Sequence, residues 1–180
     1  MKVERNGQAE ILSPEQLELV LGELRHPHRL IFAICYYTSC RISEAVALQV
    51  GDIQNGQIVF RSANTKAKRT KEVSIPQKLQ TEFDAVDLPE SGYLFPARTG
   101  ATGSHITTKS CDLALRKVCD YVGLKGISTH SFRRTSITNL YRAGVDLKTI
   151  QERSGHASIA NVGLYIEGLN GEAQKAGELL

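Results

Sequence analysis

The chain has 180 residues, a formal net charge of +3, 41% hydrophobic and 23% charged residues, the composition of an ordinary soluble globular protein with room for one core. No apolar run reaches the ~18 residues of a membrane-crossing helix, and the opening MKVERNGQAE lacks the apolar stretch of a secretory signal. So mild a charge does not itself point to nucleic acid, and the distribution of charge has to carry that argument.

In chain order, ILSPEQLELVLGEL starts a helix, with Ser13 as N-cap, Pro14 at the first helical position and Gln16 closing a capping box. HRLIFAICYYTSC is apolar enough for a buried helix ending at Thr38–Ser39, and RISEAVALQV resumes helical periodicity with Ile42, Ala45, Val46 and Leu48 inward. QIVFRS and KEVSIP are short strand-like runs flanking ANTKAKRT, with Asn55–Gly56 as turn punctuation upstream, so a small antiparallel sheet is expected. PQKLQTEFDAV is a short helix and SGYLFPARTGATGS a loop. Residues 105–123 are helical, and Thr129 precedes a helix through HSFRRTSITNLYRAG, with Gly144 as its C′ residue. DLKTIQERSG is a further helix ending at Gly155, and GEAQKAGELL is an amphipathic tail helix. The fold class that follows is α+β, mostly helical with one small antiparallel sheet. Cys35, Cys40, Cys111 and Cys119 form no CxxC pair and read as reduced thiols of a cytoplasmic protein.

Four stretches hold side chains with chemistry to offer. RSANTKAKRTK carries Arg61, Lys66, Lys68, Arg69 and Lys71 with no acid, a basic hairpin finger suited to phosphates; lysines also guard exposed strand edges without any ligand. In HSFRR, His130 shares a helix face with Arg133 and with Arg134, and spacing does not choose between them. A histidine and an arginine near a helix N-terminus make an anion site, although solvated charges there are equally common. Arg41 lies between apolar helices with Glu44 three residues on, either an oriented functional arginine or a local pair. In SGHASIANVGLYIE, His156 and Tyr165 are nine residues apart, which on a straight helix puts them on opposite faces. They converge only if the chain bends, for which Gly155 and Gly163 are the weak points; taken singly, Tyr165 reads as a core aromatic.

Together, TSCRISEAVAL, NTKAKRTKEVSIP, YLFPARTG, THSFRRTSITNLYRAGVDLKTIQERSGHASI and the following Tyr165 resemble, in order and over most of the chain, the catalytic domain of the tyrosine recombinases of the phage integrase family. The resemblance implies a DNA breaking-rejoining enzyme fold and a site-specific recombinase acting through a 3′-phosphotyrosyl intermediate, with no metal and no cofactor. It assigns Arg41 and Arg133 as the catalytic arginines, Lys66 as the general acid, His130 as the histidine of the HxxR motif and His156 as the later His/Trp position. Tyr165 becomes the nucleophile and Glu44 the neighbour that supports Arg41. Arg61, Lys68, Arg69, Lys71 and Arg134 are expected at the DNA, and Lys68 stands as the alternative to Lys66. A non-catalytic DNA-binding regulator and a topoisomerase-like relaxing enzyme are the alternatives on the same fold.

Residues 1–12 are expected to be an extension, 13–168 the catalytic domain and 169–180 a C-terminal helix that links copies into a tetramer on double-stranded DNA. An N-terminal core-binding domain is missing from the pattern. No membrane partner is expected, and the place of work is the cytoplasm, at the nucleoid. Two departures stand out: Ser39 where the family commonly has Gly, straining the turn, and Phe132 in place of Leu in the HxLRH motif.

Overall fold

A computed structural model describes residues 8–65, 68–97 and 103–166. Helix α1 (Pro14–Glu23) opens with the expected capping box, Ser13 accepting from the Gln16 amide while its own amide donates to Gln16 Oε1 at 2.9 Å. Helix α2 (His28–Thr38) is apolar on nearly every side and buries Leu30 through Cys35. It stops because Ser39 turns left-handed, with φ 55° and ψ 24°.

Helix α3 is shorter than its periodicity suggested, running only over Ile42–Val46. Leu48 stays in the core but its carbonyl accepts from Leu94 at 2.8 Å, and Asp52 accepts from the Gln49 amide at 2.9 Å to form a capped 3₁₀ turn. These bonds draw the backbone out of the helix, with Gly51 offering it little resistance.

The sheet has three antiparallel strands in the order β1 (Ile53–Gln54), β2 (Gln57–Phe60), β3 (Lys71–Ser74). Strand β1 is an addition to the two strands expected. Asn55 and Gly56 both have positive φ (49° and 71°), forming the two-residue turn between Gln54 and Gln57. Between β2 and β3 the register pairs Ile58 with Val73 and Phe60 with Lys71, so all four share one face. Three of them are apolar and buried. The fourth is a lysine.

Helices α4 (Gln77–Asp84), α5 (Thr108–Tyr121), α6 (Thr129–Arg142), α7 (Leu147–Ser154) and α8 (Ile159–Gly163) complete the described α-helices. The N-cap of α6 is Ser128, one residue before the helix begins at Thr129, and Gly144 is its left-handed C′ residue at φ 82°. Helix α6 packs on α2 through Phe132 and Phe32, whose rings lie 4.6 Å apart, so Phe132 fits the core in place of Leu. All four cysteines are free and buried. Among the described residues no helix is long and apolar enough to cross a membrane. A second, smaller core of Ile137, Ile150, Val162 and Ile166 joins the far half of α6 to α7 and α8. That cluster folds the end of the described chain back toward the start of α6.

Candidate active site

The site is built where α2, α3, β3, α6 and α7 meet. The left-handed Ser39 at the end of α2 aims its carbonyl at Arg133, which donates to it from Nη1. The Ser39 hydroxyl bonds that of Ser136 at 2.7 Å, one turn along α6. The strain expected of a serine here is therefore present as a positive φ, and a buried hydrogen bond offsets it.

Arg133 is only 1% exposed. Nη1 also donates to the Ser154 carbonyl at 2.9 Å, and Nη2 lies 2.9 Å from His156 Nε2. Its Nε is buried with no hydrogen-bond partner. Burial and the nearby Arg41 lower the Arg133 pKa, from a normal value so high that the guanidinium stays charged. Arg41, at the N-cap of α3 with a side chain 19% exposed, donates from Nη1 to Glu44 Oε1 at 2.9 Å. Glu44, 2% exposed, accepts the Arg41 backbone amide at 3.0 Å through its other oxygen. Glu44 thus caps α3 and orients Arg41 with one carboxylate.

His156 is 7% exposed, and its hydrogen bonds fix the tautomer. Ser154 Oγ donates to the Ile150 carbonyl at 2.6 Å, so at 2.7 Å it accepts from Nδ1–H of His156. Nε2 is left with a lone pair facing Arg133 Nη2. A neutral imidazole is what the surroundings favour: burial, then Arg133, Arg41 and Lys71, lower its pKa from 6.5 to about 3.

Gly155, left-handed at φ 69°, turns the chain out of α7 just before His156, and Ser158, whose hydroxyl caps the start of α8, marks the bend between His156 and Tyr165. Helix α8 ends at Gly163. Tyr165 follows in a turn, its amide donating to the Val162 carbonyl at 2.9 Å and its carbonyl accepting from Thr138 Oγ1 at 3.0 Å. The half-buried ring stands 4.9 Å from the His156 ring, and Arg133 Cζ lies 5.6 Å from its centroid. A cavity of about 350 Å³ is lined by Arg41, Gly155, His156, Ala157, Asn161, Leu164 and Tyr165.

The structure therefore gathers Arg41, Glu44, Arg133, His156 and Tyr165. His130 is exposed in the first turn of α6, one turn before Arg133. Lys66 falls outside the described residues. Lys68 and Arg69 are exposed on the hairpin, where the Thr65 hydroxyl accepts from the Arg69 amide at 3.1 Å. Arg61, about half exposed, pairs with the buried Asp52.

Two residues expected at the DNA face inward instead. Arg134 is half-buried and donates to the Ala9 carbonyl, anchoring the residues ahead of α1. Lys71 has a side chain 9% exposed, and its Nζ donates to the Arg153 and Ser154 carbonyls at 3.2 and 3.4 Å. The sequence did hold a signal for Lys71: period-two alternation in KEVS puts it on the face of buried Val73. Ser39, Thr138 and Ser154 act through backbone carbonyls or ordinary hydroxyls, and nothing in their residue type marks them.

Comparison with known proteins identifies the family and the fold. A model described as the phage integrase family matches residues 10–170. The chain is 34% identical over 160 residues to y4qK of Sinorhizobium fredii, an integrase/recombinase by name, covering 87% of this chain and 51% of the relative. It is 30% identical over 142 residues to tyrosine recombinase XerA of Pyrococcus furiosus, covering 76% and 49%. The crystal structure of the catalytic domain of bacteriophage HP1 integrase superposes with a TM-score of 0.66 at 26% identity, covering 93% of this chain and 95% of that one. The chain spans about half the length of these two curated relatives.

Proposed function

The chain belongs to the phage integrase family, and from that premise we propose that it cuts and rejoins double-stranded DNA at specific sites through Tyr165. The observation that carries this reading is the tyrosine ring held against His156 and Arg133 in a pocket where cations outnumber carboxylates. Arg41, Arg133 and Lys71 surround a single carboxylate there, the buried Glu44. A buried excess of positive charge is costly when empty and favours an anion; a phosphodiester is the anion whose chemistry needs a tyrosine beside it.

The step is a transesterification. Tyr165 Oη bonds to phosphorus, the bond from phosphorus to the 5′ oxygen breaks, and a 3′-phosphotyrosyl ester conserves the bond for rejoining. The phenol, titrating near 10 when free, must lose its proton, and His130 is the acceptor in this reading. Lys66 returns a proton to the 5′ oxygen. Arg41 and Arg133 offer forked donors to the non-bridging oxygens, where charge grows in the transition state. The unpartnered Nε of Arg133 is a donor held ready for that purpose. His156, neutral, accepts from Arg133 Nη2 through its Nε2 lone pair and so helps aim that guanidinium at the phosphate. These side chains carry the charges and protons the step requires without a metal or cofactor.

In the same reading residues 13–168 are the catalytic domain, and Lys68, Arg69 and Arg61 track the backbone of the duplex. Residues 169–180 join copies into a tetramer on DNA, at the bacterial nucleoid. To test the reading, covalent complexes are selected from fragmented host DNA, and the recovered site is rebuilt as a nicked duplex that traps the intermediate. Wild-type protein is expected to shift to a covalent band on a denaturing gel, and Tyr165→Phe is not. Equal behaviour of the two rejects Tyr165 as the nucleophile.

A further inference from the structure

Lys71 is a charged residue on the core face of the sheet, an unusual place for a lysine. Its stem crosses the Phe60 ring, with Nζ 4.6 Å from the centroid, and runs past Gly155. A Cβ on Gly155 would meet Lys71 Cδ at 3.4 Å, and the φ of +69° there favours glycine in any case. The ammonium arrives at the C-terminal end of α7, donates to the Arg153 and Ser154 carbonyls, and lies 3.7 Å from Glu44 Oε2. Those carbonyls are the negative end of a helix, a favourable place for a cation.

Both neighbours are shared with the site. The Ser154 carbonyl also accepts from Arg133 Nη1, and the Glu44 carboxylate also accepts from Arg41. Ser154 Oγ holds the His156 ring. One lysine therefore touches the supports of both arginines and of the histidine, although they come from α3, α6 and the end of α7.

We propose that Lys71 is a positioning residue for strand cleavage, tying the end of α7 to Glu44 so that Arg41, Arg133 and His156 keep one geometry around the phosphate. With two donors on carbonyls and the third side toward Glu44, the ammonium is committed to the protein. This rests on the function proposed above, and its test separates the two.

The test compares wild type, Lys71→Met and Lys71→Arg for single-turnover covalent trapping on the nicked duplex, at increasing DNA concentration. Misplaced catalytic groups lower the rate steeply, by as much as about 100-fold for a displacement near 1 Å. Lys71→Met is expected to lower the limiting rate about 10- to 100-fold on that basis. The half-saturating DNA concentration stays within about twofold, because a phosphate contact is not being removed. Lys71→Arg, which still donates to carbonyls, restores most of the rate. An unchanged limiting rate in Lys71→Met overturns the proposal, as does a raised half-saturation alone, which assigns Lys71 to the DNA.

A DNA-free measurement decides the contact even if Lys71→Met does not fold or wild type forms no covalent complex. Side-chain ¹⁵N NMR of the wild-type protein should show one lysine ammonium with strongly slowed proton exchange, absent in Lys71→Arg. Uniform solvent-rate exchange for every lysine overturns the proposal. Wild type failing to trap DNA while that ammonium is protected rejects the recombinase reading and keeps the tie.

Discussion

The ring of His156 lies 4.9 Å from the ring of Tyr165, although the two are nine residues apart and a straight helix would separate them. The capped start of the short α8 at Ser158 and the small core of Ile137, Ile150, Val162 and Ile166 produce that return. Val162→Ala should loosen it. Removing two methyl groups from a fully buried site costs about 1–3 kcal/mol, read as a lower thermal midpoint. Strand cleavage should fall more than duplex binding, because the hairpin lysines and arginines lie elsewhere.

Protonation of His156 links stability to pH. Unfolded, the imidazole titrates near 6.5; folded, it is held down to about 3 by burial and the cations around it. Between those values the unfolded chain binds a proton that the folded chain refuses, so stability rises with pH across the window. The contribution is complete above about 6.5 and is lost as pH falls toward 3. Wild type should therefore lose thermal midpoint from pH 7 to pH 4 more steeply than His156→Gln, which carries no titrating ring. Parallel slopes would contradict the assignment of a neutral, buried His156.

Glu44 answers to three partners: the Arg41 amide, the Arg41 guanidinium and the Lys71 ammonium. Glu44→Gln keeps one acceptor oxygen and leaves the cations without their counter-charge. Breaking a buried ion pair from one side costs about 3–5 kcal/mol, so a fall at the upper end of what single substitutions do is expected in chemical denaturation. A stable Glu44→Gln should still cleave slowly, since Arg41 has lost its orientation.

Ser39 sits at φ 55° with its hydroxyl on Ser136. Ser39→Gly relieves a left-handed penalty of about 1 kcal/mol and gives up a hydrogen bond of about the same worth. The two nearly cancel, and the midpoint should move by no more than about 1 kcal/mol in total. Ser39→Val should destabilise strongly, because a β-branched residue tolerates that backbone least. Ser136→Ala should cost about 1 kcal/mol alone and little in the Ser39→Gly background.

Much of the frame was legible because it is local chemistry. Ser13–Pro14–Gln16 marks a helix start, Asn55–Gly56 a two-residue turn, Gly144 and Gly155 helix ends, and each stands where its sequence put it. The gathering of Arg41, Arg133, His156 and Tyr165 could not be read from spacing, since it depends on three helices crossing; the family pattern supplied it. The misses have a common cause. The length of α3 was decided by Leu94 and Asp52 competing for its backbone, and Arg134 by a carbonyl at Ala9, 125 residues away in sequence. Lys71 was misplaced by reading charge as exposure when the strand alternation pointed inward.

The most direct measurement is the identity of the residue that carries DNA. Wild-type protein trapped on its nicked duplex is digested with protease and nuclease, and the adduct is located by tandem mass spectrometry. The account predicts a single modified peptide, with a nucleotide joined through its 3′ phosphate to the Tyr165 oxygen. An adduct on another residue, a 5′-linked nucleotide, or no adduct at a site the protein binds would contradict it.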